Sequence, residues 1–479
     1  MTNRASWRVP RRRFLQHAAG LGAAAFGFPL ARRASAQGMP GIHGTDFAPR
    51  AKRAIWLFMG GGPSQIDLFD YKPSLRERFN EDLPASVINA QRLTGMTSRQ
   101  DRLPIAPSRF EFQQNQQNGA WVSDLLPWTR RIAHELTIIK TVSTEAINHE
   151  PAMLAVNTGS QLGGKPAFGA WLAYALGPAA ADMPAYAVMT SSFSTRYFVQ
   201  ALAARLWGNA FLPSSTGGVV MRGVGDPVLY LPNPAGVSDE SRRIMLSALH
   251  DLNAKAALEV GDPSIQDRND QYVMAFRMQH SVPGLSDLGA EPAATLDLYG
   301  QSVYTPGTFA ANCVAARRML ERGVRFVQIY HRGWDAHRNA PENHSAQCGD
   351  IDQACYGLIS DLKARGMLED TLVIWGGEFG RTVYCQGPLT RDDYGRDHHP
   401  RCFTMWLAGG GARPGLVYGE TDEFSYNVLD GEVPLRDLHA TLLHLFGLEA
   451  NRLTFRHSGL EERLVGVVEP ARVRTELIA

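Results

Sequence analysis

The chain has 479 residues, with 48 lysines and arginines against 47 aspartates and glutamates and a formal net charge of +1. This balance provides no basic surplus of the kind that suits nucleic acid or an anionic membrane. Five cysteines without a Cys-x-x-Cys pair do not indicate a disulfide scaffold, which a chain of this length does not need; a disulfide between Cys348 and Cys355 stays open for an oxidising compartment.

The first 36 residues predict a twin-arginine export signal rather than a folded element. Arg11-Arg12-Arg13-Phe14-Leu15 is followed by an apolar run at 18–30 and by Ala34-Ser35-Ala36, whose small side chains suit a signal peptidase. The thirteen residues of the run are too few to cross a bilayer, which takes about 20. An uncleaved anchor and a basic, unstructured N-terminus are the alternatives.

Removal of this signal near Gln37 changes the charge of the mature protein. The signal holds seven arginines and no acidic residue, so 41 basic residues remain against 47 acidic ones. No basic block and no long apolar segment follows. We therefore expect a periplasmic or secreted protein that meets the twin-arginine translocase during export, binds no nucleic acid and has no membrane span when mature.

The mature chain, 37–479, predicts strands and helices that alternate. After a linker at 37–50, continuous apolar runs such as Ala-Ile-Trp-Leu-Phe-Met at 54–59 are typical of buried strands. In chain order, we predict strands at 54–59, 136–142, 324–330, 371–375 and 403–408, and helices at 308–322, 345–365 and 435–446. This alternation indicates an α/β fold: a doubly wound, mainly parallel sheet with helices on both faces.

The pattern loosens between about 180 and 300. Short strand-like runs at 186–190 and 227–231 and amphipathic segments near 240–256 and 270–281 lie among many prolines and glycines. We interpret this region as an inserted cap or elaboration of the main sheet rather than as a separate domain.

Acidic and histidine side chains gather after the predicted strands, and the carboxyl ends of parallel strands are where ligands bind in open sheets. The candidate metal ligands are Asp67, Asp335, His337, Glu378, Asp397, His398 and His399. Carboxylates and imidazoles on neighbouring loops suit a divalent ion, which we expect to be zinc, calcium, magnesium or manganese. Each of these residues alone also suits a turn or a hydrogen bond to a carbonyl group.

Three segments carry a resemblance to a known family. They are Gly-Gly-Gly-Pro-Ser-Gln-Ile-Asp-Leu-Phe-Asp at 60–70, Trp-Gly-Gly-Glu-Phe-Gly-Arg-Thr at 375–382 and Gly-Arg-Asp-His-His-Pro at 395–400. Behind a twin-arginine leader, they resemble the bacterial family of unknown function DUF1501 over nearly all of the mature chain. That family is grouped with the alkaline phosphatase and sulfatase superfamily. The resemblance therefore implies a doubly wound α/β fold and a metal-assisted hydrolase ancestry.

Residues 149–159 are similar to the sulfatase segment that begins with the nucleophile and ends in Thr-Gly. In this chain His149 occupies the nucleophile position, and Met153 occupies the position of the sulfatase arginine. Because neither cysteine nor serine stands there, a formylglycine sulfatase mechanism is excluded.

Residues 367–380 are similar to the superfamily segment that ends in Asp-His-Gly. Glu378 and Phe379 replace its acidic residue and its metal-binding histidine. The aspartate that follows the first strand in the superfamily is also absent, and Asp67 is the candidate substitute. The Asp-His-His stretch resembles the region that supplies a late metal histidine in phosphatases.

Two functions fit these residues. The first is a metal-dependent hydrolase of phosphate or sulfate esters of a small molecule or polysaccharide, with His149 as general base or acceptor, Arg381 or Arg332 on the oxyanion, and Ser64 as an alternative nucleophile. The second is a degenerate hydrolase-like scaffold that binds an anionic ligand such as a sulfated polysaccharide. A catalytic His149 should lie within about 8 Å of Asp335 or His398, because a relay through one water reaches no further.

Overall fold

A computed structural model describes residues 44–479, except Arg196, Asp226, 229–231, Pro263 and Ser286. The predicted export signal lies outside the described residues. The strands are β1 Arg53–Gly60, β2 Phe112–Gln114, β3 Trp121–Ser123, β4 Leu136–Ser143, β5 Tyr186–Thr190, β6 Val219–Met221, β7 Phe326–Arg332, β8 Thr371–Gly376, β9 Gly380–Gln386, β10 Gly395–His399, β11 Phe403–Ala408, β12 Val417–Tyr418, β13 Glu420–Thr421, β14 Val428–Asp430, β15 Val433–Pro434, β16 Phe455–His457 and β17 Leu460–Glu462.

The α-helices connect and cover these strands. They are α1 Gln65–Leu68, α2 Ala85–Ile88, α3 Pro127–Arg131, α4 His149–Thr158, α5 Phe168–Leu176, α6 Asp239–Val260, α7 Ser264–Ser281, α8 Ala293–Tyr299, α9 Phe309–Glu321, α10 Ala340–Ala364 and α11 Leu435–Leu445. None of the helices in the described part of the chain combines the length and the apolar character that a membrane span requires.

A nine-stranded sheet in the order β12-β4-β11-β8-β1-β7-β5-β6 forms the centre of the fold, with β15 also paired to β4. β1 lies between β7 and β8 and is parallel to both. Its apolar run alternates between two cores: Ile55 and Leu57 pack on one face, and Trp56 and Phe58 pack on the other. The first core includes side chains of α9 and α10, and the second includes side chains of α4, α5 and α11. The predicted fold class is confirmed.

One strand of this sheet, β11, runs against its neighbours β4 and β8. A strand parallel to its predecessor needs a crossover, usually a helix, that carries the chain from the carboxyl ends of the strands back to their amino ends. After β8, the chain instead forms the antiparallel hairpin β9–β10, and β11 follows directly. The chain therefore re-enters the sheet at the carboxyl ends of the parallel strands, and β11 has to run in the opposite direction to them.

The region that we interpret as an insertion contributes two strands to the central sheet, because β5 pairs with β7 and β6 pairs with β5. The second of these strands is Val219–Met221 rather than the predicted run at 227–231; Pro227 and Val228 form no strand, and residues 229–231 lie outside the described part. The amphipathic segments form α6 and α7, and α6 has no buried residue.

Candidate metal centre

The glycine triplet after β1 allows the loops that follow β7 and β8 to come together. Gly61 and Gly62 have φ values of 118° and 77°, in the left-handed region that favours glycine. A Cβ atom on Gly61 would lie 2.6 Å from the backbone nitrogen of Asp335, and one on Gly62 would lie 2.7 Å from the ring of Phe379. Gly61 and Gly62 are therefore required for close approach as well as for the turn.

Four of the predicted residues converge at this point. The ligand atoms of His149, Asp335, His337 and His398 all lie within 4.8 Å of one another. His149 begins α4, Asp335 and His337 follow β7, and His398 lies in β10. Three separate parts of the chain thus meet beyond the carboxyl ends of parallel strands, as expected for open sheets.

The carboxylate of Asp335 is the centre of this cluster. Its Oδ1 lies 2.8 Å from Nε2 of His337 and 3.6 Å from Nε2 of His398, and its Oδ2 lies 3.2 Å from Nε2 of His149. Arg381 approaches Oδ1 with Nη2 at 2.8 Å. Burial raises the pKa of Asp335, but Arg381 and the three histidines outweigh burial and lower it well below its usual range. Asp335 is therefore an anion at neutral pH.

The three histidines share one orientation. Nδ1 of each ring faces an oxygen outside the cluster: Oε1 of Glu378 at 2.7 Å from His149, Oε1 of Gln386 at 2.6 Å from His337, and the carbonyl oxygen of Ile147 at 2.7 Å from His398. These acceptors favour the proton on Nδ1, which leaves the Nε2 lone pairs directed at the centre. Metal-binding histidines are held in the same way, by an acceptor on the other ring nitrogen.

The electrostatics of the cluster fit a cation. Nε2 of His149 and Nε2 of His398 are buried and face Asp335, but neither makes a hydrogen bond with it or with any other described residue. Burial, and then the positive charge of Arg381, lower the pKa of His398 to about 3, so this ring is neutral. Burial lowers the pKa of His149, but Asp335 and Glu378 outweigh it and raise the pKa overall. A positive charge between these carboxylates is stabilised, and three imidazole nitrogens with one carboxylate form a donor set that divalent metals accept.

Glu378 and Arg381 lie directly outside the cluster. The carboxylate of Glu378 accepts hydrogen bonds from the backbone N–H of Gly61 at 2.9 and 3.1 Å and from His149. It therefore positions His149 and is not one of the four residues of the cluster. Arg381 is fully buried and donates to the carbonyl oxygens of Gly61 and Gly62 as well as to Asp335. Both side chains fix the groups that form the centre.

Ser64 and Asp67 are not brought into the cluster. The Ser64 hydroxyl donates to Oδ2 of Asp67 at 2.6 Å, and Arg396 donates to the same oxygen at 2.7 Å. The other oxygen of Asp67 accepts from the Tyr394 hydroxyl at 2.9 Å. Burial raises the pKa of Asp67, but Arg396 outweighs it and lowers the pKa to about 2. Both oxygens of Asp67 are therefore occupied by donors, and the Ser64 hydroxyl is held by Asp67 rather than directed at the cluster.

Asp397 and His399 also have partners elsewhere. Asp397 accepts from the hydroxyls of Thr94 and Thr97, and Nε2 of His399 lies 2.9 Å from the carbonyl oxygen of Tyr426. The physical reason is that residues 395–399 form strand β10 rather than a loop, and successive side chains of a strand point in opposite directions. Of these three residues, only the middle one, His398, belongs to the candidate metal centre.

Two glutamines complete the site and were not among the predicted residues. Gln200 donates from Nε2 to Oδ2 of Asp335 at 2.9 Å, and Gln386 accepts from His337. Glutamine is a rare metal ligand and is common on surfaces, so neither its type nor its position in the sequence gives a signal. Only the closure of the chain onto the cluster identifies these two residues.

Similarity to solved structures is low. The lipoteichoic acid synthase LtaP from Listeria monocytogenes aligns over 88% of this chain and 75% of its own at 9% identity and a TM-score of 0.34. The PsFucS1 sulfatase from Pseudoalteromonas sp. aligns over 83% and 68% at 13% and 0.34, and alkaline phosphatase from the Antarctic bacterium TAB5 over 76% and 92% at 12% and 0.28. No curated protein sequence matches this chain.

The family model for "Protein of unknown function (DUF1501)" matches residues 51–478. The match begins just before β1 and ends one residue before the C-terminus, so it includes every element that contributes to the candidate centre. The resemblance that the three sequence segments carry is confirmed. The chain belongs to the DUF1501 family.

Proposed function

We propose that this protein is an exported, metal-dependent hydrolase of phosphate or sulfate esters. The observation that carries the proposal is the convergence of three Nε2 atoms and one carboxylate within 4.8 Å, with two of those nitrogens buried and making no hydrogen bond among the described residues. Such an arrangement would destabilise an ordinary protein core, because buried polar groups that make no hydrogen bond cost free energy. A divalent ion supplies the missing partner.

His149, Asp335, His337 and His398 would hold the ion. When bound, a divalent ion stabilises charge on a transferring phosphoryl or sulfuryl group and lowers the pKa of water. Glu378 keeps His149 in the tautomer that presents Nε2, and Arg381 keeps Asp335 ionised and in place. His149 thus acts in this proposal as a ligand, at the position where sulfatases carry their nucleophile.

The attacking group in this proposal is water. The four-residue cluster consists of imidazoles and one carboxylate, and the hydroxyl of Ser64, the alternative nucleophile, is held by Asp67. The centre lies near the protein surface, since His149 and His337 keep 17% and 10% of their side-chain area exposed. Water and an ester group can therefore both reach the centre. Water bound there would replace a protein nucleophile.

One observation favours the second candidate, a scaffold that binds an anion without turnover. The guanidinium of Arg381 already donates to Gly61, Gly62, Asp335 and the carbonyl oxygen of Arg396. It has little capacity left to stabilise a developing oxyanion. In this case an ion in the centre would recognise the phosphate or sulfate group, and no ester bond would break.

Metal content and turnover together test the proposal. We expect the purified protein to hold about one divalent ion per chain by mass spectrometry of the metals, and to hydrolyse 4-nitrophenyl phosphate or 4-nitrophenyl sulfate. Asp335→Asn should abolish both properties. His134→Ala, which removes a partly buried histidine outside the cluster, is the matched control. A stoichiometric ion without turnover would support the anion-binding scaffold, and the lack of any ion would contradict both candidates.

A further inference from the structure

An exposed aromatic ring lies beside the candidate metal centre. Phe198 is 44% exposed, and its ring centroid is 6.1 Å from that of His337. The backbone at Phe198 forms an antiparallel bridge with Asp335, and Gln200, two residues on, hydrogen-bonds the same aspartate. Phe198 is therefore attached to two of the residues that form the centre, although its side chain is not needed to fill the core.

An arginine accompanies this ring. Arg338 follows His337 in the sequence, is exposed, and places Cζ 5.2 Å from the centroid of Phe198. In the described part of the chain, no carboxylate lies within 4.0 Å of its guanidinium nitrogens. Stacking of a guanidinium on an aromatic ring orders the side chain and leaves its N–H groups free for a ligand. Arg381, by contrast, has its donors occupied.

A half-exposed phenylalanine is stabilised when an apolar face covers it, and an ordered arginine binds phosphate, sulfate or carboxylate through paired hydrogen bonds. Both groups are exposed to solvent beside the centre. An open arrangement suits a ligand that extends away from the centre, as a polysaccharide does, better than a base, which is usually enclosed.

We propose that Phe198 and Arg338 form a substrate subsite for an acidic sugar. The C–H face of a sugar ring would cover Phe198 while the ester group of that sugar lies in the metal centre, and a second acidic group would pair with Arg338. This inference rests on the proposed function, because it requires the centre to bind the ester group. It assigns the substrate to esters of sugars that carry more than one negative charge.

The experiment measures ratios of affinities by calorimetry, on protein that carries the metal retained during purification. The ligands are inorganic phosphate and sulfate, glucose 6-phosphate and glucose 6-sulfate, glucose 1,6-bisphosphate and adenosine 5′-monophosphate. We expect the wild type to bind the glucose monoesters more tightly than the inorganic ions. Phe198→Ala should reduce this preference by about fivefold, and Phe198→Tyr should retain it.

Arg338→Gln should reduce the preference for the bisphosphate over the monophosphate by about fivefold. Two controls match these variants: Phe47→Ala removes a 37% exposed phenylalanine, and Arg131→Gln removes an arginine stacked at 4.2 Å on Trp128. Neither control should change the ratios. Thermal unfolding and metal content would be compared for every variant.

Each remaining outcome contradicts a defined part of the inference. Ratios near one in the wild type, or unchanged ratios in Phe198→Ala, would overturn the subsite while inorganic phosphate or sulfate still binds the centre. A Phe198-dependent preference for adenosine 5′-monophosphate over glucose 6-phosphate would replace the sugar with a base. If the metal-loaded wild type binds none of the ligands, the proposed function fails and the subsite fails with it.

Discussion

Two buried polar clusters lie beside the turn that follows β1, and they differ in how completely their polar groups are paired. The Asp67 cluster, which comprises Ser64, Asp67, Tyr394 and Arg396, has every carboxylate oxygen paired with a donor. The candidate metal centre also has a buried carboxylate, Asp335, but the Nε2 atoms of two of its histidines make no hydrogen bond among the described residues. Complete pairing is what a structural network requires. Incomplete pairing of converging nitrogens indicates a place for a ligand.

This comparison predicts that the Asp67 cluster governs stability. Arg396→Met should lower the free energy of unfolding by about 3–5 kcal/mol, because it leaves the buried charge of Asp67 without its partner. Urea-induced unfolding measures this loss. Arg102→Met, which breaks an exposed ion pair with Asp82, should cost less than about 1 kcal/mol. Equal losses in the two variants would show that the buried ion pair contributes no more to the free energy of unfolding than the exposed one.

The candidate centre should show the opposite behaviour. His398→Gln removes one Nε2 from the cluster but leaves an amide of similar reach, so we expect metal affinity to fall by about 100-fold or more. Without metal, the free energy of unfolding should change by only about 1 kcal/mol. Competition with a chelator measures the affinity. His399→Gln, on the neighbouring residue that faces Tyr426, is the control, and an equal loss of affinity there would contradict the assignment.

Acid should weaken the Asp67 cluster in a defined range of pH. The folded pKa of Asp67 is about 2 against an ordinary value of 3.8, so its contribution to stability is fully present above about pH 4 and is lost as the pH falls from 4 to 2. The size of this contribution is about 2 kcal/mol. Asp67→Asn should flatten the fall of unfolding free energy over this range; an unchanged slope would contradict the assignment.

The smallest effect concerns the residue that orients His149. Glu378→Gln keeps an acceptor but removes the negative charge opposite Nδ1, so metal affinity should fall by about tenfold. Isothermal titration would detect this change. Glu150→Gln, next to His149 but on an exposed ion pair with Arg205, should leave the affinity unchanged. A loss greater than that of His398→Gln would mean that Glu378 is itself a ligand.

The sequence predicted the fold class because apolar runs such as 54–59 have only one environment in which they are stable, the interior of a covered sheet. It also predicted the four members of the cluster, because acids and histidines follow strands whose ends must meet. It did not separate His398 from Asp397 and His399. That distinction depends on a strand that begins at Gly395, and a short polar stretch with two histidines has no apolar alternation that would predict one.

Likewise, the direction of β11 was not predicted. Its apolar run, Phe-Thr-Met-Trp-Leu-Ala, suits a buried strand of either direction. Direction depends on whether the preceding segment crosses the sheet or folds back, and β9 and β10 carry charged residues inside a buried hairpin. The two strands are held by hydrogen bonds and ion pairs of Arg381 and Arg396 with residues that are distant in the sequence. Local sequence patterns do not predict such contacts.

Placement of His398 on the β9–β10 hairpin has a consequence for how this protein can vary. The segment between the two strands, residues 387–394, is largely exposed, so a change in its length alters neither strand. Within β10, by contrast, a shift of one residue exchanges the side chain that faces the centre: one direction brings in the carboxylate of Asp397, and the other brings in His399, which in the present register faces Tyr426. Insertions are therefore tolerated in residues 387–394, whereas a single insertion in β10 changes which side chain faces the candidate metal centre.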